Sequence, residues 1–150
     1  FHTVLSHIPD AGGALAQAAR VTAAGGALAV FDGDYATTTV ALGDHDPLQA
    51  CVDAAMGALV HDRHLIRRLG TLVRGAGWEV VRLRSHGYVE NEDPGYILTL
   101  IDRGADTLVA AGGLAEPAAQ ALKAEARRRV EAGEFYGHIA YASLIARRPS

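Results

Sequence analysis

Apolar residues along the chain fall into two kinds of pattern. In "AGGALAQAARVTAA", Leu15, Ala18, Ala19 and Thr22 recur at helical spacing and predict a helix from Ala11 to Ala23. Pro9 breaks the short apolar stretch "FHTVLSHIPD" before it, Asp10 is a good N-cap, and Gly25 and Gly26 close it. The run "ALAVFD" (Ala27 to Asp32) is different. It is nearly continuous and of strand length, which suits a strand buried on both faces, as in a parallel sheet between helices. The following "DYATTTVALGDHD" is polar and irregular and reads as a loop over the strand end.

Helical spacing returns from Pro47 to Val60, where Leu48, Cys51, Val52, Ala55 and Leu59 share a face. It returns again from Asp62 to Arg74 with Leu65, Leu69, Leu72 and Val73, and "GAG" at Gly75 to Gly77 ends that helix. "WEVVRLRSHGYV" alternates weakly, as an edge strand does. "DPGYILTLIDRGADTLVAAGGL" opens on a turn and becomes a helix. "EPAAQALKAEARRRVEAG" is another, with Pro117 in its first turn and Gly133 after its end. Its Arg127, Arg128 and Arg129 read as a solvated face, because Glu125 and Glu131 flank them. "EFYGHIAYASLIARR" is a long apolar strand. The order is therefore strand end, helix, strand, helix pair, strand, helix pair, strand. That is an α/β fold, mostly a parallel sheet, in which the last strand is free to run antiparallel.

Composition narrows the function. The chain has 150 residues, enough for one domain with a core. Its net charge of −3, with both signs interspersed, gives no electrostatic reason for a nucleic-acid or membrane partner. No apolar run reaches the roughly 18 residues of a membrane span. A single cysteine, Cys51, excludes an internal disulfide and a cysteine-only zinc site, and a reducing, cytoplasmic setting is the expectation. The chain opens on Phe1, so the expectation is a start inside something longer, or a processed or trimmed end.

"LSHIPD", a helix ending "AARVTAAGG", and then "ALAVFDGDY" together resemble the second half of a class I S-adenosylmethionine-dependent methyltransferase of the small-molecule and quinone-biosynthesis type. "LIRRLGTLVRGAGWEVVRLRSHGY" resembles that family's next helix and strand, and "FYGHIAYASLIARRP" its last, antiparallel strand. The resemblance covers essentially the whole chain. It implies a partial Rossmann-like sheet. From the family order 3-2-1-4-5-7-6 the chain would hold the end of the fourth strand and then the fifth, sixth and seventh. A helical insertion from Glu92 to Glu134 would lid the substrate. The family's glycine-rich cofactor loop belongs to its first strand and is not found in this sequence. The expected partner is accordingly a missing amino-terminal half or a second copy of the chain.

Methyl transfer is an in-line displacement, so the protein must align donor and acceptor and sometimes remove the acceptor's proton. The resemblance places Phe1, His2 and Thr3 beside the methionine or sulfonium end of S-adenosylmethionine. Relatives of the sugar-modifying kind often use the first histidine of their L-H-H motif in proton abstraction. Ser6 stands there in this chain, which leaves His7 either as the base or as a packing and capping residue. Asp32, read at a strand end, can act as a general base or bind a substrate hydroxyl; its plain alternative is a loop acid that caps the next turn. Asp34 and Tyr35 follow it as acceptor-binding candidates. His86 and Tyr88 near the sixth strand, and Tyr96, Tyr136 and His138 in the lid and last strand, can line the acceptor pocket, against readings as solvated or core residues. Phe135 reads as core. His61 and His64 are spaced as two metal ligands can be, but no third ligand accompanies them, so no metal is expected. Catalytically inactive assembly, as a remnant that pairs with another chain, is the competing function.

Overall fold

The computed structural model describes residues 1–150. Its elements are α1 (Ala11–Val21), β1 (Ala27–Thr39), α2 (Pro47–Leu59), α3 (Leu65–Gly75), β2 (Glu79–Glu90), α4 (Gly95–Ala110), α5 (Glu116–Glu131) and β3 (Gly137–Arg147), with a short 3-10 turn at Leu5–His7. The three strands form one antiparallel sheet in the order β1-β3-β2. The last strand thus lies between the first two. At one end the Gly25 N–H donates to the Arg148 carbonyl at 2.9 Å and the Arg148 N–H to the Gly26 carbonyl at 2.8 Å.

The expected parallel sheet is corrected. Parallel pairing is confined to Phe1–Thr3 alongside β1. There the Phe1 amino group donates to the Ala29 carbonyl at 2.9 Å, Phe31 N–H to Phe1 at 3.0 Å, and Thr3 N–H to Phe31 at 2.7 Å. The β1 boundary is corrected too. The strand does not end at Asp32; it runs through the polar stretch to Thr39, thirteen residues in all. The alternation of burial shifts phase at Asp32 and Gly33, which are both buried, and the β-branched Thr37, Thr38 and Thr39 suit an extended backbone. Helix α1 ends at Val21, two residues short of the expected end. Thr22 turns extended there, with its hydroxyl donating to the Ala18 carbonyl at 2.7 Å.

The chain divides into two compact units. The first comprises Phe1–Tyr35, Val60–Gly87 and Ala140–Ser150. Its core joins α1 and α3 to one face of the strands through Leu15, Leu28, Val30, Leu69, Trp78 and Leu144. Trp78 is 3% exposed, and its indole N–H donates to the Leu15 carbonyl at 3.1 Å, so the polar edge of this ring is satisfied inside the core.

The second unit comprises Ala36–Leu59 and Tyr88–Ile139. Here α2 and α4 cross closely. A Cβ built at Gly104 would stand 1.6 Å from the Cys51 carbonyl oxygen, so glycine is required at the crossing. Helix α5 is fastened by Arg129. This correction to the solvated-face expectation is physical: the Arg129 side chain is 11% exposed and grips Asp46, 6% exposed, at 2.6 Å. No helix is long and apolar enough to cross a membrane.

Candidate functional site

In the first unit, the Phe1–Thr3 ladder leads straight into an unusual backbone. Thr3 has φ of 49°, a left-handed conformation that a β-branched residue rarely adopts. Its N–H is committed to Phe31 and its hydroxyl to the His2 carbonyl at 2.9 Å, so both of these contacts hold the strained residue. The chain then enters the Leu5–His7 turn. Leu5 is fully buried and anchors it, and the Ser6 carbonyl accepts the Asp62 N–H at 2.9 Å.

Asp32 faces this turn from β1. It is sixth in the strand and fully buried, not at the strand end that the sequence pattern predicted. Its Oδ1 accepts the Ser6 hydroxyl at 2.7 Å and the Gly33 N–H at 2.9 Å, and its Oδ2 accepts the Ser6 N–H at 3.1 Å. Three donors on one buried carboxylate compensate its removal from water. Asp34 is held at 2.9 Å by Arg67 of α3.

Gly33 gives room to Tyr35. A Cβ at Gly33 would meet the Tyr35 ring at 2.9 Å, and Tyr35 is 4% exposed. The exposed His7 ring meets Tyr35 edge-on, with centroids 5.6 Å apart. Other rings extend the array. His2 stacks on Phe31 at 5.0 Å, Phe31 on Tyr141 at 5.2 Å, and His86 lies 6.1 Å from Phe31. The His86 Nε2 is bonded to the Ser143 hydroxyl at 2.8 Å. The first unit therefore brings together Phe1, His2, Thr3, His7, Asp32, Asp34, Tyr35 and His86. A groove of about 440 Å³ also lies in this unit, lined by Ile8, Asp10, His61, Asp62 and Arg68 among others; it shares none of those eight residues.

Tyr88, Tyr96, Tyr136 and His138 belong to the second unit. Tyr88 donates to Glu90 Oε1 at 2.5 Å, while Glu90 Oε2 accepts the Ile97 N–H at 2.9 Å and so caps the first turn of α4. The bond to Glu90, then burial, push the Tyr88 phenol up to about 12. Burial, then the Glu90 charge, raise Tyr96 as well. Gly137 packs its backbone on the Ile97 side chain, where a Cβ would stand 3.0 Å away, and Tyr136 and His138 on either side have parallel rings 6.5 Å apart.

No family model matches the chain, and no curated protein matches it. Among solved structures, a proposed methyltransferase from Bacillus halodurans aligns with 99% of this chain and 68% of its own, at 17% identity and a TM-score of 0.56. The chain has a methyltransferase fold. A proposed sarcosine dimethylglycine methyltransferase from Galdieria sulphuraria aligns at 16% identity and a TM-score of 0.42, covering 99% of this chain and 51% of its own. Phosphoethanolamine N-methyltransferase 2 of Haemonchus contortus, solved with S-adenosyl-L-methionine, aligns at 14% identity and 0.42, covering 99% and 32%. The chain thus spans about half and about a third of those two. At such identities the likeness reaches the fold and stops there.

Within this methyltransferase fold, sequence reasoning missed several residues. Ser6 was visible only as a departure from the L-H-H motif, with nothing to tie it to Asp32. Tyr141 belongs to the ring array, and its place on the uncored face follows from alternation with the buried Ala142 and Leu144. Glu90 was passed over because a lone acid at a strand end carries no sequence signal for capping.

Proposed function

We propose that this chain supplies the acceptor pocket, the lid and one wall of the cofactor site of an enzyme that moves a methyl group from S-adenosylmethionine to a small molecule in the cytoplasm. One observation carries the reading. The strand order β1-β3-β2, with the last strand antiparallel in the middle and a parallel segment on the outer side of β1, supports a reading of these as strands five, seven and six beside the end of strand four. Phe1, His2 and Thr3 then stand at the carboxyl end of that fourth strand, where ligands of open α/β sheets bind.

The residues present fit the sulfonium end of the cofactor. Phe31 is stacked between His2 and Tyr141, so the exposed His2 ring is the aromatic surface available to a cation, and Thr3 turns the chain sharply beside it. Phe1, His2 and Thr3 would hold that end, and the cofactor, when bound, supplies an electrophilic methyl group on sulfur. The chain's own work is orientation and proton handling. Asp34, Tyr35 and His86, all in the first unit, are assigned to the acceptor. His7 and Asp32 are assigned to its proton.

Calorimetric titration of S-adenosylmethionine is the test. The 150-residue chain alone is expected to show no micromolar binding, and the full gene product is expected to show it. A full gene product that fails to bind overturns the reading.

A second reading is an inactive module that assembles with a missing amino-terminal half or with a second copy. Pairing with a second copy is favoured by β2, which pairs with β3 alone and leaves Val81 59% and Leu83 50% exposed. Sedimentation decides it: a clean monomer with sharp unfolding speaks against either pairing.

A further inference from the structure

The proton-handling pair named above does not consist of equals. A carboxylate that takes a proton from a bound molecule must first come within hydrogen-bond reach of it. Asp32 is 0% exposed, and its two oxygens already accept three donors, all from Ser6 and Gly33. Each of those donors leads to one ring. Ser6 is the residue before His7 in the Leu5–His7 turn. Gly33 is the surface on which the Tyr35 ring rests. The His7 and Tyr35 rings then meet edge-on at 5.6 Å.

We infer that Asp32 is a positioning residue: it clamps Ser6 and Gly33 so that the His7 imidazole is fixed against Tyr35, and His7 is the group that receives the acceptor's proton. The inference rests on the methyl-transfer reading for the second half of that statement and on geometry for the first. The turn has little freedom once clamped. Leu5 is buried on one side, the Ser6 carbonyl accepts Asp62 N–H on another, and the His7 N–H donates to the Val4 carbonyl at 3.0 Å. Ser6 is fully buried, so loss of its hydroxyl leaves Asp32 Oδ1 short of a donor that water does not replace. The carboxylate and the turn must then readjust together, and His7 moves with them.

The test is proton NMR of the 150-residue chain, read as the nuclear Overhauser contact between the His7 and Tyr35 rings and as the His7 ring shifts. In Ser6→Ala, well below its unfolding temperature, the contact is expected to be lost and the His7 ring resonances to move, while the methyl signals of Leu15 and Leu69 stay in place. A purely structural bond would lower the unfolding temperature and leave the ring contact intact; that outcome overturns the inference. Gly33→Ala approaches from the other side and serves if Ser6→Ala does not fold. The added methyl displaces the Tyr35 ring, and His7 is expected to lose the same contact with Ser6–Asp32 still made. With Ser6–Asp32 intact the His7 backbone is expected to keep its place while Tyr35 moves off, and a His7 backbone that shifts there as far as in Ser6→Ala overturns the clamp. Cofactor titration of the full gene product is separate: ring contacts that respond as expected, without cofactor binding, keep the clamp and remove the methyl-transfer reading.

Discussion

Arg129 on α5 grips Asp46 across 83 positions of sequence with two parallel bonds, Nη1 to Oδ2 at 2.6 Å and Nη2 to Oδ1 at 3.2 Å. The same Asp46 carboxylate accepts the N–H groups of Leu42 at 3.0 Å and Leu48 at 3.1 Å, so it organises the segment entering α2 as well. Removing one partner of a buried pair strands the other charge, at a cost of about 3 kcal/mol. Arg129→Met is therefore expected to lower the stability of the second unit by about that much, read as a shift of the urea midpoint of helical circular dichroism. The double variant with Asp46→Asn should recover part of the loss.

The acid limb of stability follows from the same cluster. Arg128 and then Arg129 hold the Glu125 carboxyl down at about 2, from an ordinary 4.5. Burial works against the Asp46 carboxylate, but Arg129 and the two backbone N–H groups outweigh it and keep it below the ordinary 3.8. Both folded values are depressed. The stabilisation is thus complete above about pH 4.5 and is lost as pH falls toward 2. Urea midpoints measured across that window should decline, and Glu125→Gln should flatten the decline.

At the alkaline end the sign reverses. The Tyr88 phenol is raised to about 12 by Glu90, so the neutral form is favoured by folding. Its contribution is present below the ordinary value of 10 and fades as pH climbs through 12. Ultraviolet titration of phenolate should show a step near pH 12, beyond the also-raised Tyr96, and Tyr88→Phe should remove that step.

Two glycines should respond in opposite directions to alanine. Gly104→Ala forces a methyl into the Cys51 carbonyl 1.6 Å away, a backbone conflict expected to cost about 3 kcal/mol or to prevent folding of the second unit. Gly57 is exposed in α2 with nothing within 4 Å of a built Cβ, so Gly57→Ala should stabilise by about 0.5–1 kcal/mol. Thermal unfolding of the two variants separates them.

Much of this fold was legible because its helices bury one face and expose the other. The spacing of Leu48, Cys51, Val52 and Ala55 marks α2, and all four are buried. The strands were read less well. Asp32 and the threonines look like a strand end because sequence shows their polarity and hides their partners. Ser6, twenty-six positions away, is what lets an acid stand inside β1. The Arg129–Asp46 pair was invisible for the same reason: periodicity reports a face, and α5 turns one arginine of three inward to meet a distant acid. Candidate site residues were legible as chemistry but not as geometry. His7 and Tyr35 read as separate candidates, and the contact between their rings depends on Gly33, whose missing side chain no pattern flags.

The central place of β3 has a consequence for biosynthesis. Its eleven residues follow both other long strands in the sequence, yet they are the seam that joins them. Until they are synthesised, β2 has no partner among these strands and its backbone is unzipped. A premature stop before Gly137 would leave β1 and β2 unjoined.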